Sequence, residues 1–502
     1  MSIYHLPTLL ILVPLAGVVL VMALPRARET LIRGVALGIG LAETALALVC
    51  YAVFDGAIYG PQMEYRHPWI QELGIEYHVG LDGISLLLVL LAAVLLPIAQ
   101  LASWKEVRVR VKEFSATLLA ATAGAVGAFV ALDLTMFYIS LEVTLLPMFL
   151  LVGVWGSEGR VHAAVKFALT NVAGSAFILG AIVYLGVLQA DLEGPRSYAF
   201  AHLSQLSLSP GTELWLLAAL FLGFAFKAAL FPFHSWLADV HRHATSAGSI
   251  VVTGIWLNLG VYGFVRFCVP LFTETLQRVD EYVALLGVAA ILYGSLLALV
   301  ESDLPRLLTF ATVSQVGLIA LGFSTLTVAG VGGGVVHMIN RGLVMAGLFA
   351  VAGILRSKGL EDERGLARSQ PKTCAVFLFI TLAAIGIPGL NLFVSQISVI
   401  LGALERNLAY AVGAIVGFLL LAASLLRRYQ HLALGDAASE SRGGDLDTRE
   451  SILLVPLLLA ILWIGLNPQA IQDKMANSIE QVLAHADLGQ AGAAEAPREG
   501  TP

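Results

Sequence analysis

The sequence predicts an all-α polytopic membrane protein of about 14 transmembrane helices, built as two inverted five-helix repeats with helices 7 and 12 broken. Three observations lead there. Of 502 residues, 58% are apolar and 13% charged, whereas soluble domains carry about 25% charged residues. Apolar runs of about 20 residues, long enough to cross the hydrocarbon core, recur along the whole chain. Two of those runs, in matching positions five spans apart, are interrupted by proline and glycine.

The first run, 5–24, has basic residues after it rather than before it, the reverse of a secretory signal, and reads as a retained helix. Five more follow at 32–53, 82–103, 114–132, 134–154 and 164–189. Asp82, just ahead of the third, is expected to cap it. The seventh run, 212–241, holds FPFHSWLADVH at mid-membrane, and the twelfth, 371–405, holds IGIPGLNLFVSQI. Pro232 and Pro388 each remove a backbone donor and clash with the preceding turn, so both helices should break. Between and beyond them lie 246–268, 281–300, 306–324, 329–356, 407–426 and 451–473.

This divides the chain into helices 1–3 with an outer loop at 54–81 (residues 1–113), a first repeat (114–268), a second repeat (281–426), and an inner loop plus last helix (427–475). The tail, 476–502, rich in Ala, Gly and Pro towards its end, is expected to be disordered. With the N-terminus outside, nineteen of the 29 Lys and Arg fall in inner loops and seven in outer segments. The positive-inside rule then places both termini outside. Cys50, Cys268 and Cys374 have neither metal nor disulfide spacing and read as small core residues. No extramembrane stretch is large enough for a nucleotide, flavin or iron–sulfur site.

Charged groups at membrane depth point to function. Lys227 sits alone in the apolar run Trp215–Phe233, and Glu142 lies at similar depth in another helix. An intramembrane acid and base on separate helices are the minimum for a proton or ion pathway. Near the first break, His234 can serve a proton path. His234, Asp239, His241 and His243 fit no strong zinc pattern. His337 and Arg341, spaced i, i+4, share one helix face. Arg341 can be a fixed counter-ion but not a proton carrier. Gln315, Asn258 and Gln396 can hold water without carrying charge.

Together, HVGLDGISLLL, LDLTMFYISLEVTLLPMFLLVGVWG, AAVKFALTNVAGS, FAFKAALFPFHSWLADVH, SDLPRLLTFATVSQVG and DLDTRESILLVPLL run in family order from about 5 to 475. The chain resembles the M-type (NuoM-like) antiporter subunit of respiratory complex I, NADH-quinone oxidoreductase, as a divergent paralogue. That family is related to Mrp-type cation/proton antiporters and membrane-bound hydrogenase subunits. The resemblance implies Glu142 and Lys227 as a coupled pair, and proton translocation driven by a quinone reaction elsewhere. It also implies L-, N- and K-type partner subunits in a bacterial inner membrane. It implies no cofactor in this chain, with NADH, FMN, iron–sulfur clusters and quinone on partners. Nothing suggests a nucleic-acid partner.

The chain departs from that pattern where charge should move. The eighth-helix lysine of the family is Asn258, the twelfth-helix glutamate is Gln396, and histidines of helices ten and eleven are Gln315 and Arg341. Three readings stay open: a rewired proton path, an Mrp-like cation/proton antiporter or ion-coupled uptake subunit, and a non-pumping structural spacer.

Overall fold

The computed structural model describes residues 3–190, 196–361, 363–435 and 444–494. Twelve continuous helices among them are long and apolar enough to cross a membrane. The first six are α1 (Leu6–Ala23), α2 (Glu29–Val53), α3 (Gly83–Ser103), α4 (Val111–Val130), α5 (Leu134–Gly153) and α6 (Arg160–Ala190). The seventh span is a broken pair, α7 (Pro210–Lys227) and α8 (Ser235–His243). Then come α9 (Ser246–Leu271), α10 (Thr273–Val300), α11 (Leu304–Ser324) and α12 (Val328–Lys358). A second broken pair, α13 (Pro371–Ala384) and α14 (Asn391–Arg406), precedes α15 (Leu408–Ala433), α16 (Thr448–Leu466) and α17 (Gln469–Ala494).

Both interruptions fall where proline and glycine predict them, and they share a backbone design. Each half-helix ends in a Schellman-type turn: Leu230 N–H reaches back to Ala225 O at 3.0 Å, and Ile387 N–H to Leu382 O at 3.1 Å. Each places a left-handed residue two positions past its last helical residue, Ala229 at φ +52° and Gly386 at φ +76°. Glycine tolerates that conformation, whereas alanine at the first break is strained, as residues at functional sites often are. Two repeats of one plan would produce this match.

The helices nearest the centre are α9, wholly buried, with α11 and α12 at 94% and α3 and α4 at 83%. Peripheral α1 and α2 are only 28% buried. Their outward Leu and Val side chains face lipid or a neighbour, as polytopic helices do. Asn258 of α9, Gln315 of α11, and His337 and Arg341 of α12 therefore sit where water enters only through the protein's own polar groups.

Three expectations need correction. The outer loop 54–81 contains an antiparallel hairpin, β1 (Gln62–Ile70) with β2 (Ile75–Leu81), turned at Gly74 with φ +70°. The last span ends at Leu466 rather than 473, because Asn467 and Pro468 stop it. The expected disorder over 476–502 does not hold for its first part: α17 is helical to Ala494. Ile471, Met475, Ile479, Val482 and Leu483 supply a buried stripe at helical spacing. Composition hid that stripe because polar residues fill the other face. Residues 495–502, and 436–443 of the inner loop 433–449, lie outside the described residues.

α17 ties one end of several helices together. Tyr51 Oη donates to Ala470 O at 2.8 Å, Asn477 Nδ2 to Gly56 O at 2.8 Å, and Gly83 N–H to Ser478 Oγ at 2.9 Å. Beside this contact Asp82 caps α3 in a capping box with Ser85. The same carboxylate meets Arg266 of α9 at 2.5 Å, with both side chains buried. Asp82→Ala is thus expected to lose a cap, about 1 kcal/mol, and to strand a buried cation, roughly 3–5 kcal/mol. Thermal unfolding of the purified chain should register the loss; an unchanged Tm would contradict it.

Candidate functional site

The front of the site is built by α5, α6, α7 and α9. Lys227 is the last residue of α7, where the break begins, and its side chain is fully buried. Its Nζ donates to Ser175 Oγ at 2.8 Å and to Glu142 Oε1 at 3.2 Å. Ser175 Oγ also approaches Glu142 Oε1 at 2.5 Å. The ammonium lies 5.5 Å from the Trp256 ring centroid of α9, in cation–π range. Glu142 differs from Lys227 in exposure, keeping 26% of its side chain open. The pair therefore joins an outward-reaching acid to a sealed base. A proton arriving at Glu142 has a hydrogen-bonded path inward through one hydroxyl.

The first break presents His234, buried and packed against Phe231 and Tyr293. Its Nδ1 has no protein partner. Asp239 on α8 pairs with Lys166 of α6 at 2.7 Å, and His241 meets Thr253 at 3.0 Å. His243 turns to Ser157 at 3.3 Å. The four residues thus point to different partners, and among the described residues no three His, Cys, Asp or Glu gather as metal ligands.

A second polar cluster lies behind α9, fully enclosed. Asn258 follows a π-helical turn, Val252–Trp256, a widened geometry common at functional sites. Trp256 faces Lys227, whereas Asn258, two residues on, faces the other way and accepts from Arg341 Nη2 at 2.5 Å. Its amide nitrogen donates to Gly254 O and to Met338 O of α12. α9 is therefore the partition between the two clusters.

The position of Gln315 follows from helix register. Gly322 of α11 packs against Gly330 of α12. Two turns along each antiparallel helix from that contact stand Gln315 and His337, at one depth and on facing sides. His337 Nδ1 lies 3.0 Å from Ser395 Oγ of α14, and Ser395 gives its hydrogen to Leu392 O. Nδ1 is then the donor, and Nε2 of the neutral ring carries the lone pair without a protein partner. Arg341 is one turn along the same face.

Gln315, His337 and Arg341 are each 0% exposed. Both amide atoms of Gln315, Nε2 of His337, and Nε and Nη1 of Arg341 lack a protein partner. These atoms are buried with neither a protein partner nor solvent access, a cost that protein interiors rarely bear. Gln396 is nearly buried and folds its amide against Gly386, where a Cβ would collide with it, so it packs on the second break.

Sequence reasoning thus found both clusters but missed their connections. Ser175 bridges the acid and base, and its signal was present: it stands i+4 from Asn171 on the polar face of α6. Trp256 as a ring beneath the ammonium had no local signal. Glu43 on α2 was passed over altogether. It is fully buried with both oxygens unpartnered, and a lone Glu in LAETALALV should have been noticed by the rule applied to Glu142.

Broken spans around a buried acid–base pair, with a second enclosed polar cluster behind it, define a polytopic helical membrane protein of the antiporter-like class. Residues 131–421 match the family described as NADH:quinone oxidoreductase/Mrp antiporter, TM. The chain is 33% identical to NADH-quinone oxidoreductase subunit M of Rhodobacter capsulatus, across 97% of this chain and 98% of that protein. Its fold superposes on a chain of respiratory complex I from Thermus thermophilus with bound NADH at a TM-score of 0.86. That match has 26% identity and covers 97% of this chain and 99% of the other. The Mrp complex from Dietzia sp. DQ12-45-1b contains the same fold, at TM-score 0.85 and 21% identity, over 98% of this chain and 99% of that one. The chain belongs to the NADH:quinone oxidoreductase/Mrp antiporter membrane family.

Proposed function

We propose that this chain is an M-type membrane-arm subunit of a complex I-like NADH-quinone oxidoreductase. In this reading it couples electron transfer on partner subunits to proton translocation across a bacterial inner membrane. NADH, FMN, iron–sulfur clusters and quinone belong to those partners, and L-, N- and K-type subunits are its neighbours in the membrane. Both termini lie on the outer side, as the distribution of Lys and Arg favours. Counting each broken pair as one crossing gives fourteen spans, ten of them in two inverted five-helix repeats.

The observation that carries the reading is the Glu142–Ser175–Lys227 triad: a half-open acid joined through a hydroxyl to a sealed amine at a helix break. A proton loaded on Glu142 weakens its hold on the ammonium. Lys227 can then release its own proton inward past α9, and His337 Nε2 offers the next acceptor. Asn258, Gln315 and Gln396 order water along this course, and Arg341 biases it as a fixed positive charge. An Mrp-like antiporter shares the fold, but the closer sequence relationship to subunit M favours the complex I-type assembly. A non-pumping spacer would have no use for a sealed lysine bonded to an intramembrane glutamate.

The reading is tested with the assembled complex in vesicles. Glu142→Gln keeps the shape but cannot ionise, and is expected to reduce NADH-driven proton uptake per electron pair by about tenfold in the part carried by this subunit. Uptake at the wild-type ratio would favour the spacer.

A further inference from the structure

Where α1 and α5 end and α2 and α4 begin, the structure opens a cavity of about 540 Å³. That volume is in the range of small-molecule sites, about 300–1,000 Å³, and no residue of the acid–base relay lines it. One wall is apolar, formed by Leu150 and Val154 at the end of α5 and Val111 at the start of α4. Trp155 completes it, its ring 5.2 Å from that of Phe114 and its Nε1–H donating to Val109 O at 3.0 Å. Tryptophan at the end of a membrane helix marks the level of the lipid headgroups. One turn deeper on α5, Leu146 is 63% exposed, so an apolar surface continues from the cavity into the hydrocarbon.

The opposite wall is charged, and its charges do not cancel. Glu113 is held by Arg26 at 2.7 Å, and Glu29 by Arg33 at 3.7 Å, which accounts for both acids. Lys112 donates one of its three N–H bonds to Leu24 O at 2.8 Å, which fixes the ammonium without offsetting its charge. Arg110 is exposed and has no hydrogen bond or ion pair among the described residues. Two positive charges, Arg110 and Lys112, therefore line the cavity uncompensated. A soluble anion would use the charged wall alone, whereas a lipid with an anionic headgroup uses both.

We propose that this cavity holds an anionic phospholipid, with its phosphodiester between Arg110 and Lys112 and its acyl chains along Leu150 and Leu146. Basic pockets between membrane helices recognise such headgroups by charge. Here the apolar wall and Trp155 set the depth at which the lipid sits. The site depends on the membrane fold alone and not on whether the subunit pumps.

The test uses the full-length chain in detergent micelles, titrated with phosphatidylglycerol or with phosphatidylcholine of the same acyl chains, and read by native mass spectrometry. Wild type is expected to hold the first phosphatidylglycerol roughly twentyfold more tightly than phosphatidylcholine, each of the two cations contributing about fivefold. Arg110→Gln should lose about fivefold of that preference, and Arg110→Lys should keep it. Exposed Arg278→Gln, at the other end of the helices, should leave it unchanged. Because Arg110 makes no bond within the described chain, Arg110→Gln should fold as wild type does. Equal affinity of wild type for the two lipids overturns the proposal, as does an unchanged preference in Arg110→Gln. Inorganic phosphate at millimolar concentration should leave the lipid bound; displacement would assign these charges to a free anion and overturn the lipid. None of these readouts involves proton uptake, so their failure leaves the result for Glu142→Gln standing.

Discussion

Lys227→Ala is expected to abolish the proton translocation carried by this subunit while the chain still folds and assembles. The ammonium is sealed in the centre and makes hydrogen bonds to Ser175 and Glu142. In the proposed relay, removing it deletes the group that would accept a proton from one side and yield it to the other. Folding should survive because the carboxylate left behind keeps its hydrogen bond from Ser175 and can be neutralised by taking up a proton. That keeps the destabilisation below the roughly 3–5 kcal/mol typical of a stranded, fully buried charge. Lys227→Arg sharpens the test. It preserves the charge and the pairing with Glu142 but cannot deprotonate, so uptake should fall with it too, by about tenfold or more. Proton uptake by vesicles during NADH oxidation measures both variants. Wild-type uptake in Lys227→Arg would mean that charge alone is used, and the relay role would be lost.

The second large effect is expected at the partition helix. Asn258→Lys places a second cation beside a guanidinium whose Nη2 now lies 2.5 Å from the Asn258 side chain. Two like charges about 4 Å apart repel by about 4 kcal/mol at an effective dielectric constant near 20, and here neither can turn to solvent. The single variant should therefore be severely destabilised or fail to accumulate. Combining it with Arg341→His replaces the fixed positive charge with a side chain that can be neutral and removes the repulsion, so stability should recover. A double-mutant cycle of thermal unfolding is expected to give a favourable coupling of several kcal/mol. Additive effects would show that the two positions do not share a charge balance.

This coupling explains why the departures from the family were legible singly but not jointly. Asn258 and Arg341 are 83 positions apart, and the sequence lists one loss and one odd gain. Only the packing of α9 on α12 reveals that the two positions touch. The membrane spans and both breaks were readable because hydropathy and proline act locally. Asp82 as a cap was readable for the same reason, while its ion pair with Arg266 was not, since that pairing depends on how α3 and α9 meet. α17 was misjudged because its apolar stripe is thin, and low mean hydropathy resembles a solvated tail until a partner surface is known. Glu142 and Lys227 stood out by the cost of burying charge, whereas Ser175 is a common residue in membrane helices and carries no such flag.

The account rests on a hydrated connection from Lys227 past Asn258 to the enclosed cluster. A high-resolution density map of the assembled complex tests it most directly. Ordered solvent features bonded to Gln315, His337 Nε2 and Arg341, continuing around α9 towards Lys227, are the expected result. Side chains of α9, α11 and α12 closing on these atoms in dry contact would contradict it.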